Sequence, residues 1–497
     1  MLISRLVVAL GLATQQEVDQ ALAEQRRTGR RLKDILTGMG TAGPDAIERA
    51  FRTLPVQPLG IEDLHINRGI ARDVFLKAAS LGLTSNIASV SAELHVSSRV
   101  ATQLIEEARQ LKHIEFKPSS AGDIQFSLSG EGRAQAEAAF ESCAYVGPLP
   151  VSVEDYAARI RLQSVYGELV TPEQVQETFG DMIIREEVLR DIGAAANSSR
   201  SALLYGPPGN GKTTIAEKIG RLFQSFVFIP HAFEVAGQIV RVFDGSIHHP
   251  ISDDALLALG DRGPVSIVAE EYDQRWVPCR RPFVFAGGEL TPEMLELNFN
   301  DIAKYYEAPL QVKANNGVFL IDDFGRQIIP PRVLLNRWIV PMDRRVDYLK
   351  LNTGKSFSLP FDALLLFSTN IGPEELMDPT FLRRIAHKIE VGGPNEAEFR
   401  AICHSVSAKT GIKLSEESID YALERIKASG AQVAAFQPGF ILDQIRDLRR
   451  FLGSRQLDER SLVDFALRNL LAGTGERGFG LPTTAATPMT AQGFELR

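Results

Sequence analysis

Cysteine is scarce in this 497-residue chain, and so are long apolar runs and any excess of positive charge. The three cysteines, Cys143, Cys279 and Cys403, lie far apart without a C-x-x-C pair, which argues against an oxidising compartment. No run approaches the roughly 20 apolar residues of a membrane span, so membrane insertion is not expected. A net charge of −8 gives no overall attraction to nucleic acid or acidic lipid. Together these scarcities predict a soluble cytoplasmic protein.

The length and the composition indicate several ordinary globular domains. A chain of 497 residues exceeds what one hydrophobic core can hold, and about three domains are expected. Apolar residues make up 44% of the chain and charged residues 23%, as in typical globular proteins. The apolar start Leu6–Ala13 is short and lacks an A-x-A site, so we do not expect a signal peptide.

The stretch Ser201–Thr214 has the pattern of a buried strand, a glycine-rich loop and a helix start. Gly206–Thr213 fit G-x-x-x-x-G-K-[ST], whose glycines let backbone N–H groups converge on phosphate oxygens at the positive end of a helix. We expect Lys212 to reach the β- and γ-phosphates of ATP, and the Thr213 hydroxyl to ligate Mg²⁺. The predicted nucleotide-binding residues are Gly206, Pro207, Pro208, Gly209, Asn210, Gly211, Lys212, Thr213 and Thr214.

A second apolar strand ends in two carboxylates. Gly317–Ile321 is followed directly by Asp322 and Asp323. A P-loop protein that hydrolyses its nucleotide needs an acid near Mg²⁺ and a group that orients water. We expect Asp322 to hold Mg²⁺ through water and Asp323 to polarise the attacking water. The phosphate-binding loop upstream favours this role over an ordinary buried strand with exposed acids at its end.

Two further segments follow in the order that such an enzyme needs. The apolar strand Ala363–Thr369 ends beside Asn370, and both Thr369 and Asn370 can hydrogen-bond the γ-phosphate or the attacking water. Arg383 and Arg384 follow at a predicted helix end. In a ring, such an arginine faces the neighbour's γ-phosphate as an arginine finger; the alternative is ion pairing within the subunit. The predicted catalytic residues are Asp323, Asn370, Arg384 and Arg383.

These motifs, in this order, resemble those of the AAA+ ATPases over residues 176–472. The small-residue turn Ala314–Gly317 and the predicted hairpin Tyr348–Leu359 resemble the MoxR, magnesium-chelatase and enhancer-binding branch. The resemblance implies an α/β fold with a P-loop parallel sheet and a helical lid. It also implies Mg²⁺-dependent hydrolysis of ATP, a ring of identical subunits, expected to be a hexamer, and Arg384 as the finger with Arg383 as its substitute.

Two departures from the family pattern bear on catalysis. The second acid is Asp323 where glutamate is usual, so a shorter side chain approaches the attacking water. In the lid, Gly439 stands where a Pro-Arg pair commonly supplies a sensor-2 arginine. Arg446 and Arg449 lie further along the same predicted helix as alternatives.

The first 60 residues are helical and weakly repeated. Three positions recur at equal spacing: Gly11, Val18 and Leu22, then Gly40, Ile47 and Phe51. The stretch Gly11–Gln25 resembles the N-terminal domain of type II secretion and type IV pilus assembly ATPases, which implies a docking module. Cyclic di-GMP binds some of those domains. It is disfavoured here because the second copy has Lys33 for glycine and Leu54 for glutamine.

The region 69–145 has the pattern of three helices, a hairpin and a helix, which resembles a winged-helix domain. Ser97–Leu111 occupies the recognition-helix position. Acidic residues balance the basic residues of this region, so contact with protein is favoured over contact with DNA.

The predicted boundaries, in chain order, are the helical module 1–60, linker 61–68, winged-helix-like domain 69–145, connecting segment 146–175, AAA+ core 176–395 with an insertion about 228–310, helical lid 396–473 and disordered tail 474–497. Phe179–Ile184 is expected over the adenine. In the insertion, Tyr272–Trp276 and Arg280–Arg281 are candidates for an exposed substrate-facing surface, with Trp276 as a core anchor the alternative. His248, His249 and Cys279 do not have the spacing of a metal site.

The leading hypothesis is a AAA+ ring ATPase that remodels a protein partner, with pilus assembly or secretion as the expected setting. One alternative is a DNA-bound regulator that docks through its winged helix. The other is a nucleotide switch that barely hydrolyses ATP, motivated by Asp323 and Gly439.

Overall fold

The computed structural model describes residues 13–28, 32–41, 54–117, 125–198, 200–251, 272–376, 379–453 and 457–472. Parts of the predicted N-terminal repeat, including Gly11, Ile47 and Phe51, and the predicted disordered tail 474–497 lie outside these residues. In the described part of the chain, no helix combines the length and the apolarity that crossing a bilayer requires.

Helices make up most of the described residues before Val151 and after Glu390. In chain order they are α1 (Gln15–Thr28), α2 (Leu32–Met39), α3 (Arg68–Ser80), α4 (Ile87–Leu94), α5 (Ser98–Gln110), α6 (Gly130–Ser142), α7 (Val153–Leu162), α8 (Pro172–Phe179), α9 (Glu186–Asn197), α10 (Lys212–Leu222), α11 (Leu310–Lys313), α12 (Pro331–Arg344), α13 (Pro373–Leu376), α14 (Pro379–Leu382), α15 (Glu396–Thr410), α16 (Glu416–Ala428), α17 (Gln437–Leu452) and α18 (Glu459–Leu470).

Strands lie between these two helical regions, apart from one early hairpin. In chain order they are β1 (Ile114–Lys117), β2 (Gln125–Leu128), β3 (Val151–Ser152), β4 (Ala202–Tyr205), β5 (Phe226–Pro230), β6 (Ala232–Val235), β7 (Gln238–Arg241), β8 (Trp276–Arg280), β9 (Phe283–Ala286), β10 (Asn298–Phe299), β11 (Tyr306–Glu307), β12 (Gly317–Ile321), β13 (Val346–Lys350), β14 (Ser356–Pro360), β15 (Ala363–Thr369) and β16 (His387–Glu390).

The main sheet has the order β16-β4-β15-β12-β9, and every neighbouring pair in it is parallel. Its strands are nearly continuous apolar runs because helices cover both faces. Side chains alternate between the faces: Leu204 packs in one cluster with Ile219 of α10, and Leu203 packs in another with Trp338 of α12. The Trp338 ring also contacts Phe319 of β12, with the ring centroids 5.3 Å apart. The fold is therefore α/β, as predicted.

The strand β9 lies within the range 228–310 that the sequence suggests as an insertion. It pairs with β12 in the main sheet, with Val318 beside Phe283. This part of the range therefore belongs to the central sheet.

A second sheet, in the order β10-β11-β7-β6-β3, is built mainly from the remainder of that range. Its strand β3 comes from the predicted connecting segment and runs parallel to β6. Next to it, β5 and β8 form an antiparallel pair. The buried Val18 of α1 and Leu36 of α2 belong to the same hydrophobic cluster as Phe233 of β6. The N-terminal helices therefore pack on this second layer.

Residues 54–145 contain α3, α4, α5, the hairpin β1–β2 and α6, the order that the sequence pattern predicts. Each helix begins after a side chain that accepts a backbone N–H: Asn67, Asn86, Ser97 and Ser129. The predicted linker holds a short 3₁₀ turn, Ile61–Leu64, whose Leu64 is fully buried. The identity of this unit as a winged helix stays a prediction.

A buried ion pair joins these parts of the chain. Arg275 and Asp273 lie 2.7 Å apart, and both side chains are almost completely buried. The Arg275 guanidinium also donates to the carbonyl oxygens of Leu64 and Pro150. One buried cation thus ties the unit at 54–145 to the segment that precedes the main sheet.

Candidate nucleotide-binding site

The loop between β4 and α10 has the backbone that its glycines were expected to provide. Gly206, Gly209 and Gly211 have φ angles of 137°, 79° and 80°, in the region that favours glycine. A β-carbon on Gly206 would also lie 2.5 Å from the carbonyl oxygen of Val391. The loop therefore opens directly into the first turn of α10, where free N–H groups and the helix dipole favour an anion.

Lys212 is the first residue of α10, and its side chain lies against this loop. Its ammonium group donates to the carbonyl oxygens of Gly206, at 2.8 Å, and of Pro207, at 2.9 Å. Burial lowers the pKa of Lys212, while the nearby charges of Asp322 and Asp323 oppose that shift. A buried cation without a full counter-charge is costly, and an anion bound in the loop would offset that cost.

Thr213 and Asp322 meet at the carboxyl end of the main sheet. The Thr213 hydroxyl donates to Asp322 Oδ2 at 2.7 Å, although the two residues are 109 positions apart in the chain. A hydroxyl and a carboxylate are oxygen donors of the kind that Mg²⁺ prefers, usually together with phosphate oxygens and water. Among the described residues, no group of three or more His, Cys, Asp or Glu side chains could hold a metal alone. The donor set thus fits a metal that arrives with phosphate.

Asp323 and Asn370 lie beside this pair. The Asn370 amide donates to Asp323 Oδ1 at 3.1 Å, and Asp323 is exposed with a φ of 48°. Thr369, the other polar residue of that strand end, is buried and donates to the carbonyl oxygen of Phe324 at 2.7 Å. Of the two, Asn370 is therefore the side chain positioned to act with Asp323.

A cavity of about 370 Å³ adjoins the loop, a size typical of small-ligand sites. Gly209, Asn210, Gly211 and Thr214 of the predicted site line it, and apolar side chains form its far wall. Those apolar side chains are Met182, Ile183, Ile184, Val188, Ile402, Val406 and Phe436. Of the segment expected over the adenine, Met182, Ile183 and Ile184 thus line this cavity, whereas Phe179 is buried in the core beneath α10.

The lid contacts the phosphate loop through its main chain, which the motifs do not reveal. The N–H of Phe436 donates to Gly209 O at 2.9 Å, and the N–H of Ala435 donates to Asn210 Oδ1 at 3.0 Å. A β-carbon on Gly209 would overlap the Phe436 ring. Lid and loop are thus joined at the rim of the cavity.

Neither predicted substitute for a sensor-2 arginine lines this cavity. Gly439 has open space around it, and Arg446 pairs with Asp443 of its own helix at 2.8 Å. The lid does contribute Lys409, from α15, to the cavity wall.

Arg383 and Arg384 lie away from the phosphate loop of their own chain. They line a separate cavity beside Ser201 and Ala363, where β4 and β15 begin. Arg384 Nε lies 3.0 Å from Asp343 Oδ2, so the predicted alternative of an ion pair within the subunit is present.

The prediction that Tyr272–Trp276 and Arg280–Arg281 form an exposed, substrate-facing surface is wrong for most of these residues. Trp276 is buried and serves as the core anchor given above as the alternative. Arg281 is also buried, and it donates to Glu168 and to the carbonyl oxygens of Gln163 and Asn316. An arginine in a loop-rich stretch of sequence is expected to be exposed. The partners that offset the cost of burying this one are distant in the sequence, so the local pattern does not reveal them.

His248 is engaged in the same region. Its Nδ1 accepts from the N–H of Asp244 and its Nε2 lies 2.9 Å from the carbonyl oxygen of Lys313. Both ring nitrogens of His248 therefore have hydrogen-bond partners within the chain.

Comparison with known proteins gives one family model and several solved structures. Residues 395–469, the lid helices, match a domain of unknown function (DUF8689). NtrX from Brucella abortus is similar with a TM-score of 0.35 and 13% identity over 75% of this chain and 62% of that chain. NtrX from Brucella abortus in complex with ATP is similar with a TM-score of 0.34 and 13% identity, over 73% of this chain and 60% of that chain. A point mutant of Thermotoga maritima RuvB is similar with a TM-score of 0.31 and 13% identity, over 62% of this chain and 73% of that chain. The chain thus spans less than two thirds of the NtrX chains that it matches.

Proposed function

We propose that this chain binds ATP with Mg²⁺ at the cavity beside the phosphate loop and hydrolyses it. The contact between Thr213 Oγ1 and Asp322 Oδ2, 2.7 Å long, carries this proposal. It brings a P-loop hydroxyl and a strand-end carboxylate together, beside a buried lysine. That combination provides ligands for a metal and a positive charge for phosphate oxygens.

In this proposal each polar residue has a distinct task. Lys212 and the loop N–H groups hold the phosphates, and Thr213 and Asp322 hold Mg²⁺, which supplies charge stabilisation to the phosphoryl group. Asp323 accepts a proton from the attacking water, and the amide of Asn370 fixes the orientation of its carboxylate.

We also propose that the chain is a AAA+ ring ATPase that remodels a protein partner. The main sheet, the phosphate loop and the four-helix lid support this assignment, in line with the motif resemblance. Arg275 ties the segment at 54–64 to the ATPase part, so a conformational change there can reach the N-terminal units. Those units are proposed to select the partner, within a pilus or secretion machine.

Steady-state ATP turnover with Mg²⁺ tests the enzyme directly. Lys212→Ala and Asp323→Asn should each lose turnover, while Arg221→Ala, which removes an exposed cation from the same helix α10, should keep it. The mass of the wild type with and without ATP reports ring assembly. Turnover by Lys212→Ala equal to the wild type would contradict the proposed site.

The slow-hydrolysing switch is the second candidate, and the lid favours it. No arginine of α17 lines the cavity in the described structure, and Phe436 makes the lid contact instead. A wild type that binds ATP and assembles without turnover would support the switch and contradict the motor.

A DNA-bound regulator has less support. The predicted recognition helix α5 is partly covered by the chain itself: Ser97 Oγ donates to Pro58 O, and the N–H of Ile61 donates to Gln103 Oε1. Salt-dependent binding of duplex DNA by the full chain would support the DNA-bound regulator.

A further inference from the structure

A second cavity lies at the opposite edge of the main sheet, where β4 and β15 begin. Its volume is about 550 Å³, within the range of small-ligand sites. Ser201 and Ala363 form part of its wall. The charged residues that line it are Arg200, Asp343, Arg345, Arg383 and Arg384. They come from three separate parts of the chain, so the cavity depends on the folded sheet.

Arg345 is held in place at this cavity. It follows α12 in the left-handed conformation, with a φ of 54°, and its guanidinium carbon lies 4.2 Å from the centroid of the Tyr166 ring. The Tyr166 hydroxyl in turn donates to the carbonyl oxygen of Ala363 at 2.7 Å. Stacking on a fixed ring sets the plane of a guanidinium, which prepares it for a planar, bidentate contact.

Arg384 is held on the other side. Its Nε lies 3.0 Å from Asp343 Oδ2, and its carbonyl oxygen accepts from the Ser201 hydroxyl at 3.2 Å. Among the lining residues that the structure describes, Asp343 is the single carboxylate, against four arginines. Arg200 and Arg383 are exposed, and both line the same cavity. The lining therefore carries more positive than negative charge. Asp362, which interacts electrostatically with Arg345 from outside the lining, reduces this excess, and an anion in the cavity would offset the remainder.

We propose that this cavity binds an oligophosphate through Arg200, Arg345 and Arg383, with Arg384 held by Asp343 at its border. Guanidinium groups match phosphate oxygens in charge and in geometry, and several such groups favour a ligand with several phosphates. Arg200 and Arg345 belong to none of the nucleotide-binding motifs.

The phosphates cannot come from the nucleotide of the same chain. The phosphate loop follows the other end of β4, about 13 Å along the strand, with the sheet between. The source is therefore either the triphosphate bound by a second copy or a free oligophosphate from solution. The first source rests on the proposed function, whereas the second does not.

The first experiment removes the nucleotide site and measures the cavity alone. The full chain carrying Lys212→Ala is titrated with sodium tripolyphosphate at low salt in a calorimeter. Adding Arg200→Ala or Arg345→Ala should weaken binding about tenfold each, close to 1.4 kcal/mol. Arg344→Ala is the matched control, because Arg344 is an exposed neighbour that does not line the cavity. The unfolding temperature of each variant shows whether it is folded. If Arg345→Ala proves unstable, the result for Arg200→Ala alone tests the proposal.

The second experiment distinguishes the source. One variant carries both Arg200→Ala and Arg345→Ala, so its nucleotide site is intact and its cavity is impaired. The other variant carries Lys212→Ala, so its cavity is intact and its nucleotide site is impaired. ATP turnover that is low in each alone and recovers on mixing identifies a second copy's triphosphate as the ligand. Binding of tripolyphosphate that depends on the arginines, without such recovery, identifies a free oligophosphate.

The proposal is wrong if Arg200→Ala and Arg345→Ala bind tripolyphosphate as tightly as Arg344→Ala and the mixed copies show no recovery of ATP turnover. A wild type without turnover would contradict the proposed enzyme, yet the tripolyphosphate titration would still decide on the cavity.

Discussion

The backbone N–H of Phe436 donates a 2.9 Å hydrogen bond to the carbonyl oxygen of Gly209, which joins the lid to the phosphate loop. The adjacent N–H, of Ala435, bonds the side chain of Asn210. Because the Phe436 ring also lines the cavity, a nucleotide bound there as proposed would contact both lid and loop. A lid that lacks an arginine at Gly439 can therefore still respond to the ligand.

We expect Phe436→Ala to weaken nucleotide affinity about tenfold, since it opens the cavity to water and loosens the lid. Titration with a fluorescent ATP analogue measures this. Phe451→Ala is the matched control, because Phe451 lies at the far end of α17 and is 71% exposed. Equal affinities of the two variants would show that the ring does not contact the nucleotide.

The edge of the sheet that carries the candidate catalytic residues could be predicted because those residues follow local sequence patterns. Gly206–Thr213 are consecutive, and Asp322, Asp323 and Asn370 directly follow apolar strands. Parallel strands end at the same edge, so side chains distant in the chain meet there. The structure brings these predicted residues together, whereas Arg383 and Arg384 lie at the opposite edge. Their roles in catalysis stay proposals.

The lid contact and the buried arginines could not be predicted in the same way. Gly209 and Phe436 are separated by more than two hundred residues, and no motif links them. Asp273 and Arg275 look like loop charges in the sequence. In the structure the Asp273 carboxylate neutralises the buried arginine, and the carbonyl oxygens of Leu64 and Pro150 accept its remaining hydrogen bonds. Such non-local partners leave no periodic pattern in the sequence.

Thr213→Val should remove the advantage that Mg²⁺ gives to nucleotide binding. Valine keeps the shape of threonine but lacks the hydroxyl that meets Asp322. In excess chelator the variant and the wild type should bind ATP equally, while with Mg²⁺ the variant should bind at least about tenfold more weakly. Thr214→Val removes the neighbouring hydroxyl of α10. Because Thr214 also lines the cavity, the quantity compared is the Mg²⁺ dependence of binding and not the overall affinity, and this dependence should stay as in the wild type. An unchanged Mg²⁺ dependence would exclude Thr213 as a metal ligand.

Gly206→Ala should destabilise the protein by about 1–3 kcal/mol. The new β-carbon would clash with the carbonyl oxygen of Val391, and position 206 has a φ of 137°, which is unfavourable for alanine. Gly392→Ala is a close control, since a β-carbon there has no heavy atom within 4 Å and the φ is not in the left-handed region. Thermal unfolding of both variants measures the difference. Equal unfolding temperatures would mean that the loop relaxes without cost.

The pH dependence of stability should report on His231, which lies between the second sheet and the unit at 54–145. Its ring contacts that of His95, with the centroids 4.9 Å apart. Burial, with a smaller contribution from His95, lowers the pKa of His231 from 6.5 to about 4. The unfolded chain therefore binds one more proton than the folded chain between pH 4 and 6.5.

Stability should thus fall as the pH drops from about 6.5 to 4, by up to about 3 kcal/mol from this residue. His231→Phe keeps an aromatic ring but cannot titrate, so its unfolding temperature should decline less over this range than that of the wild type. His404→Gln, in the lid and largely exposed, should follow the wild type. A parallel decline for His231→Phe and the wild type would show that His231 titrates normally, and that the joint it occupies admits water.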